Sequence, residues 1–403
     1  MACPRAETGC GEAVPKLRVV DALRAGLDPW LAEHQPTPEQ ARLIRDLRRC
    51  RTAALGGHLH VCQQCAHEVP VYNSCRNRHC PNCQALDQAR WIEAREAVLL
   101  PVGHHHVVFT LPSQLRPLAL HRPRELYGLL FGAVSATLTE LAEELLGVRL
   151  GVTAVLHTWR RDLGHHPHVH CIVTAGGLAL DGSRWVERLR FLLPARRMKA
   201  AFHSQVIARL ERLQQRGALD LSETDWSALR RSLPAYRQWV VYIEPPFGRS
   251  THVLQYLGRY THRIAISDAR LVALDDRTVS FVTRDGKVAV LPLHHFVGRF
   301  LLHVLPAGFR KIRHYGLYAP GAAAQRRDQA RQLLGRGDLD ELRPLPDPGA
   351  EPEPEPEPGE SWDVLTERLT GQNPLRCPSC GARAVLRSVL GPVRQAIEPR
   401  GPP

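Results

Sequence analysis

Lysine is scarce in this chain. Of its 53 lysines and arginines, only Lys16, Lys199, Lys287 and Lys311 are lysines. Acidic side chains number 40, which leaves a formal charge of +13 and a pI of about 9.6. Such an excess favours a polyanionic partner, because neutralising phosphates releases condensed counterions. GC-rich coding would produce the same arginine skew without selection for binding. No run approaches the roughly 20 apolar residues that cross a bilayer, and Met1 to Glu12 lacks the apolar core of a signal peptide. These absences predict an intracellular, cytoplasmic chain with no membrane partner. There is no Gly-x-x-x-x-Gly-Lys-Ser/Thr loop either, which removes the usual ATPase and helicase motors. No long-period repeat is visible.

The hydrophobic fraction of 44% and charged fraction of 23% are those of a folded chain with a core. In a reducing compartment the eleven cysteines are more naturally metal ligands than disulfides. Residues 17–50 have helical spacing of Leu17, Val20, Leu23 and Leu27, and residues 84–100 a second helical pattern stopped by Pro101. A strand is predicted at 107–111, a long helix at 123–146, and two strands at 151–157 and 168–174 paired antiparallel across a Gly164/Pro167 turn. Further on, helices are predicted at 194–216 and 251–262, a strand at 239–243, and a meander at 271–274, 278–283 and 287–291 around Asp285-Gly286. Glu-Pro alternation within 344–360 removes amide donors and repels itself, so it reads as an extended linker. The fold class is therefore α+β. The expected division is a helical and zinc-binding part at 1–100, a central part at 101–320 and a tail at 321–403.

Between His58 and Cys83 the sequence runs His58-x-His60-x-Cys62-x-x-Cys65, then Cys75, then His79-Cys80-x-x-Cys83. Two Cys-x-x-Cys knuckles suit tetrahedral zinc, and Cys62, Cys65, Cys80 and Cys83 complete one closed shell. Cys75 and His79 are left as substitutes for a member of that set, or as partners of His58 and His60 in a second site. Cys377 and Cys380 form only half a site, needing ligands from elsewhere or from a second chain.

His168-Val169-His170 sits on a predicted strand, where residues i and i+2 share a face, so both imidazoles reach one cation while Val169 packs behind. A divalent ion held this way keeps open positions for a phosphate. His157 on the neighbouring strand is the candidate third ligand. His165 and His166 read as an exposed, histidine-rich turn. Tyr256 and Tyr260, four apart on a predicted helix, present two phenols on one face; a phenol needs a cation or base to become a nucleophile. Arg259 and Arg263 are candidate phosphate contacts, or else a solvated basic face.

Taken in order, Cys62–Cys83, Val108-Phe-Thr-Leu-Pro112, His157-Thr-Trp159, His166-Pro-His-Val-His-Cys171 and Gln255-Tyr-Leu-Gly-Arg-Tyr-Thr-His-Arg263 resemble the two-tyrosine HUH transposases of the rolling-circle, IS91-like group. The resemblance spans residues of about 55–320. It implies an N-terminal zinc module with structural Zn2+, and an HUH-endonuclease-like antiparallel sheet flanked by helices. It further implies Mg2+ or Mn2+ at the histidines and Tyr256 and Tyr260 as nucleophiles giving 5′-phosphotyrosine and a free 3′-hydroxyl. The partners implied are single-stranded DNA at element ends and target, with host replication proteins besides, and nucleoid association. A plasmid initiator or relaxase would share these residues, and a zinc-dependent DNA-binding regulator would lack the cleavage. Oligomeric state is not legible.

Overall fold

The computed structural model describes residues 17–83, 88, 91–95, 98–189, 192–246, 265–283, 286–335, 361, 363–364, 366–367 and 373–393. The single helical run expected at 17–50 is two helices, α1 (Val19–Glu33) and α2 (Pro38–Arg49). The break is chemical. Thr37 Oγ1 accepts from the Gln40 amide while the Thr37 amide donates to Gln40 Oε1, a capping box with Pro38 in the first turn. Strands β1 (Gly57–Cys62) and β2 (Glu68–Tyr72) then form a hairpin. The helix expected at 84–100 is described only in part, and is helical at 91–95.

Strand β3 (His104–Thr110) begins three residues before the expected one. Helix α3 (Arg116–His121) precedes α4 (Pro123–Leu146), which stops where Gly147 takes a left-handed conformation (φ 64°). After the short β4 (Val148–Arg149) come β5 (Gly151–Trp159) and β6 (His165–Thr174), then β7 (Gly176–Ala179) and β8 (Trp185–Glu187). Helices α5 (Ala195–Gln215) and α6 (Glu223–Ser232) lead to β9 (Val241–Ile243). The expected meander is β10 (Leu271–Leu274), β11 (Thr278–Val282) and β12 (Val288–Pro292), followed by α7 (Leu293–Leu301). Last come β13 (Ile312–Gly316), α8 (Ala323–Leu334) and β14 (Ala384–Leu390).

The architecture is α+β with antiparallel sheets. Its centre is a five-stranded sheet in the order β13-β5-β6-β3-β9, every neighbouring pair antiparallel. Strand alternation gives this sheet two unlike faces. Phe109, Val169 and Cys171 point to one face and are buried with Leu130, Phe131 and Val134 of α4 and Phe202, Val206 and Leu210 of α5. The other face carries the histidines.

A second apolar cluster joins α1 and α2 to the meander and α7 through Leu23, Leu27, Leu43, Val279, Phe281, Phe296 and Phe300. Helices α1 and α7 approach so closely that a Cβ added at Gly26 would lie 2.6 Å from the Leu293 carbonyl oxygen. Here glycine is required by contact, not by backbone angle. A three-stranded sheet, β14-β1-β2, brings the far end of the chain back to the first hairpin. Among the described residues no helix is long and apolar enough to cross a membrane.

Candidate active site

On β6 the burial alternates strictly from His165 to Cys171, so His166, His168 and His170 share the face opposite Val169 and Cys171. Antiparallel register places His157 of β5 directly opposite His168, and Val155 opposite His170. His157, His168 and His170 consequently each offer a ring nitrogen within 4.8 Å of the others. Their ring centroids are 5.3 Å (His157–His168), 4.3 Å (His157–His170) and 4.9 Å (His168–His170) apart.

Each ring is held from behind. The His157 ring stacks on Trp159 at 4.7 Å and 16°. His168 Nδ1 lies 2.6 Å from the His166 carbonyl, so that nitrogen is the donor and Nε2 keeps the lone pair. His170 Nδ1 lies 2.8 Å from His106 Nε2, and His106 Nδ1 lies 3.0 Å from Glu244 Oε2. A carboxylate accepts, so His106 donates through Nδ1 and its Nε2 accepts from His170 Nδ1–H. That chain of tautomers leaves the His170 Nε2 lone pair facing outward from the relay. Burial lowers the pKa of His168 to about 4 and drives that of His170 well down, helped there by His157, His168 and His106. Both are therefore neutral at pH 7, the form that ligates a metal.

His165 and His166 are not an exposed turn, because β6 already begins at His165. The turn is Arg160–Gly164, closed by the Arg160 amide on the Gly164 carbonyl. His165 is buried with Nε2 at 2.9 Å from the Tyr127 hydroxyl, and His166 Nδ1 lies 2.8 Å from an Arg116 guanidinium nitrogen. His106 and Glu244 were not read from the sequence. The signal for His106 was the run His104-His105-His106 running straight into an apolar strand; Glu244 carried none.

The cysteines gather differently from the expected single shell of Cys62, Cys65, Cys80 and Cys83. Cys50, Cys75, Cys80 and Cys83 make one group, and Cys62, Cys65, Cys377 and Cys380 another, the sulfurs of each within 4.8 Å. In the first group Sγ–Sγ distances are 3.4 Å (Cys50–Cys83), 3.6 Å (Cys75–Cys83) and 3.6 Å (Cys50–Cys80). Zn–S bonds of about 2.3 Å in a tetrahedron set sulfurs about 3.8 Å apart, so the donor set fits zinc. Hydrogen bonding with Cys50 pulls the Cys83 thiol far down and pushes the Cys80 thiol far up. Four thiolates at this spacing need a cation between them. Cys75 thus joins a shell, whereas His79 does not: its Nε2 accepts from the Leu305 amide at 3.0 Å, which ties the hairpin region to the residues after α7. His58 and His60 join neither group. Cys50 was missed because it lies outside the dense segment; counting sulfurs in fours would have called for it.

Tyr256, Tyr260, Arg259 and Arg263 fall in residues 247–264, outside the described residues. The flanks of that stretch are described. Glu244 reaches His106 on one side, and on the other Ala265 and Ile266 are buried in the cluster that contains Leu163 of the β5–β6 turn.

Comparison with known proteins bears on this arrangement. A family described as "Putative transposase" matches residues 151–327, from β5 onward, and a "Transposase zinc-binding domain" matches residues 22–111. A protein of Sinorhizobium fredii (strain NBRC 101917 / NGR234) named as a putative transposase is 39% identical over 379 residues, covering 90% of this chain and 92% of its own. This chain belongs to the IS91-like transposases. The transposase for insertion sequence element IS801 of Pseudomonas savastanoi pv. phaseolicola is a more distant relative, 26% identical over 372 residues, 87% of this chain and 84% of its own. No solved structure matches this transposase. The zinc-binding match contains Cys50, Cys62, Cys65, Cys75, Cys80 and Cys83, and the first match contains all three clustered histidines.

Proposed function

We propose that this transposase cuts and rejoins single-stranded DNA at element ends and target by HUH-type transesterification, as expected of rolling-circle transposition. The observation that carries the reading is the convergence of His157, His168 and His170 on the face of the central sheet opposite Val169, with Glu244 and His106 behind them. These three imidazoles are neutral or buried ring donors at the spacing a divalent cation needs, so they fit Mg2+ or Mn2+ with positions left for substrate. When bound, such a cation supplies Lewis-acid polarisation of the scissile phosphate.

The protein's own groups do the rest. Tyr256 or Tyr260 attacks phosphorus through its phenolic oxygen. The P–O bond to the 3′-oxygen breaks, the phenol loses its proton, and the departing oxygen leaves as a 3′-hydroxyl. The 5′-phosphotyrosine bond retains the energy for rejoining, so no nucleotide cofactor enters. Arg259 and Arg263 contact phosphates and position the strand without specifying it. Cys50, Cys75, Cys80 and Cys83 hold a structural zinc.

A His168→Ala/His170→Ala variant, incubated with fluorescent single-stranded element ends and Mn2+, should bind DNA within a fewfold of the parent and give no covalent product. Broad arginine contacts supply affinity; the histidines serve the chemistry. Undiminished cutting by this variant removes the histidine cluster from the mechanism.

A further inference from the structure

We propose that Cys62, Cys65, Cys377 and Cys380 bind a second structural zinc ion, a clasp that fastens the C-terminal segment onto the first hairpin. Cys377 and Cys380 lie far outside the stretch that matches the zinc-binding family, residues 22–111. That stretch alone cannot close this shell.

The two knuckles are copies of one turn. The Cys62 amide donates to the His67 carbonyl at 2.9 Å and the Ala66 amide to the Cys62 carbonyl at 3.0 Å. In the tail the Cys377 amide donates to the Ala382 carbonyl at 2.8 Å and the Gly381 amide to the Cys377 carbonyl at 2.9 Å. The fifth residue of each, Ala66 and Gly381, has positive φ, 56° and 75°. The four sulfurs lie within 4.8 Å of one another, with Cys62–Cys380 at 3.4 Å and Cys65–Cys377 at 3.6 Å. These separations are a few tenths of an ångström under the roughly 3.8 Å that a tetrahedral zinc sets, as in the first group.

Strand pairing alone does not account for the attachment. β14 pairs with β1 from Gly57↔Leu390 to Cys62↔Ala384, but its side chains are mostly exposed, Val389 at 73% and Leu386 at 57%. The Arg387–Glu68 ion pair at 2.6 Å is solvent-exposed and adds little. A small three-stranded sheet with so few buried apolar side chains is marginal by itself. A metal that bridges its two halves supplies what apolar burial does not, and does so across a long intervening chain, where a cross-link restricts the unfolded state most. Cys65 and Cys380 are exposed, so without a metal they would be open to modification.

The test is zinc stoichiometry of the full chain purified without chelator. Cys377→Ser/Cys380→Ser should carry one zinc fewer than the parent, and so should Cys62→Ser/Cys65→Ser. The variant with all four changes should also lose one, because both pairs serve one ion. Loss of two ions in that variant, or none in the tail variant, overturns the clasp. The parent protein gives a second measurement that does not depend on how variants fold. Peptide-mapped alkylation of Cys65 and Cys380 should be slowed at least tenfold until a chelator is added. Equal alkylation rates with and without chelator would overturn the proposal as well.

Discussion

Glu244→Ala tests whether the histidine cluster depends on its relay. Glu244 is anchored twice, its amide donating to the His106 carbonyl at 2.9 Å and its carboxylate receiving His106 Nδ1–H at 3.0 Å. Removing the carboxylate leaves the backbone bond intact but frees His106 to take either tautomer. When His106 carries its proton on Nε2, it meets His170 Nδ1 as a donor. His170 must then place its own proton on Nε2, the nitrogen that a metal would use. Outer partners of metal-bound histidines are commonly worth about 10–100-fold in metal affinity or activity, about 1.4–2.7 kcal/mol. Because the Glu244 side chain is 32% exposed, water takes over part of its role, and the lower half of that range is expected. Glu244→Gln retains an acceptor and should fall between parent and Ala. The assay is covalent adduct formation on a single-stranded element end across a Mn2+ titration. The half-saturating concentration should rise about tenfold for Ala, with the plateau recovered at high Mn2+. An unchanged Mn2+ dependence would refute the relay, and an irrecoverable plateau with unchanged half-saturation would point to direct contact with DNA instead.

Three further outcomes follow from single features. Ala66→Gly should slow chelator-driven loss of the second zinc, since a left-handed alanine at φ 56° costs about 1 kcal/mol relative to glycine, and Gly381→Ala should speed it; equal release rates for both would refute the knuckle comparison. Burial holds the pKa of His104 and of His303 near 3, below the unfolded value of about 6.5, so an unfolded chain binds protons that the native one does not. Stability is therefore complete above pH 6.5 and declines below it by about 1.4 kcal/mol per pH unit per histidine; denaturant midpoints that stay flat from pH 7 to pH 5 would contradict this. Single Tyr256→Phe and Tyr260→Phe variants should each still form one protease-sensitive adduct on a denaturing gel, and the double variant none. If the double variant keeps its adduct, Tyr242 is the next candidate. It pairs with Val108, and Val108 with His170, so it lies on the histidine face, and it is 54% exposed.

The sequence by itself determined whatever depends on near neighbours. Period-two alternation around Val169 assigned His168 and His170 to one face and Val169 to the core. Periodicity placed α4 and α5 within a residue of their ends, and Asp285-Gly286 marked the meander. The antiparallel pairing that puts His157 opposite His168 was legible from the short connection between the two strands. Order of motifs named the family. What the tertiary structure decided were the partnerships between distant segments. A thiolate has no periodicity and no preferred sequence distance, so which sulfurs share a shell depends on where the chain brings its turns. Cys50 is 25 residues before Cys75, and Cys62 is 318 before Cys380. Glu244 was invisible for the same reason: its role exists only because β9 pairs with β3 and carries it to His106. Local chemistry writes the ligand types and the faces they occupy, and long-range strand pairing chooses among the combinations.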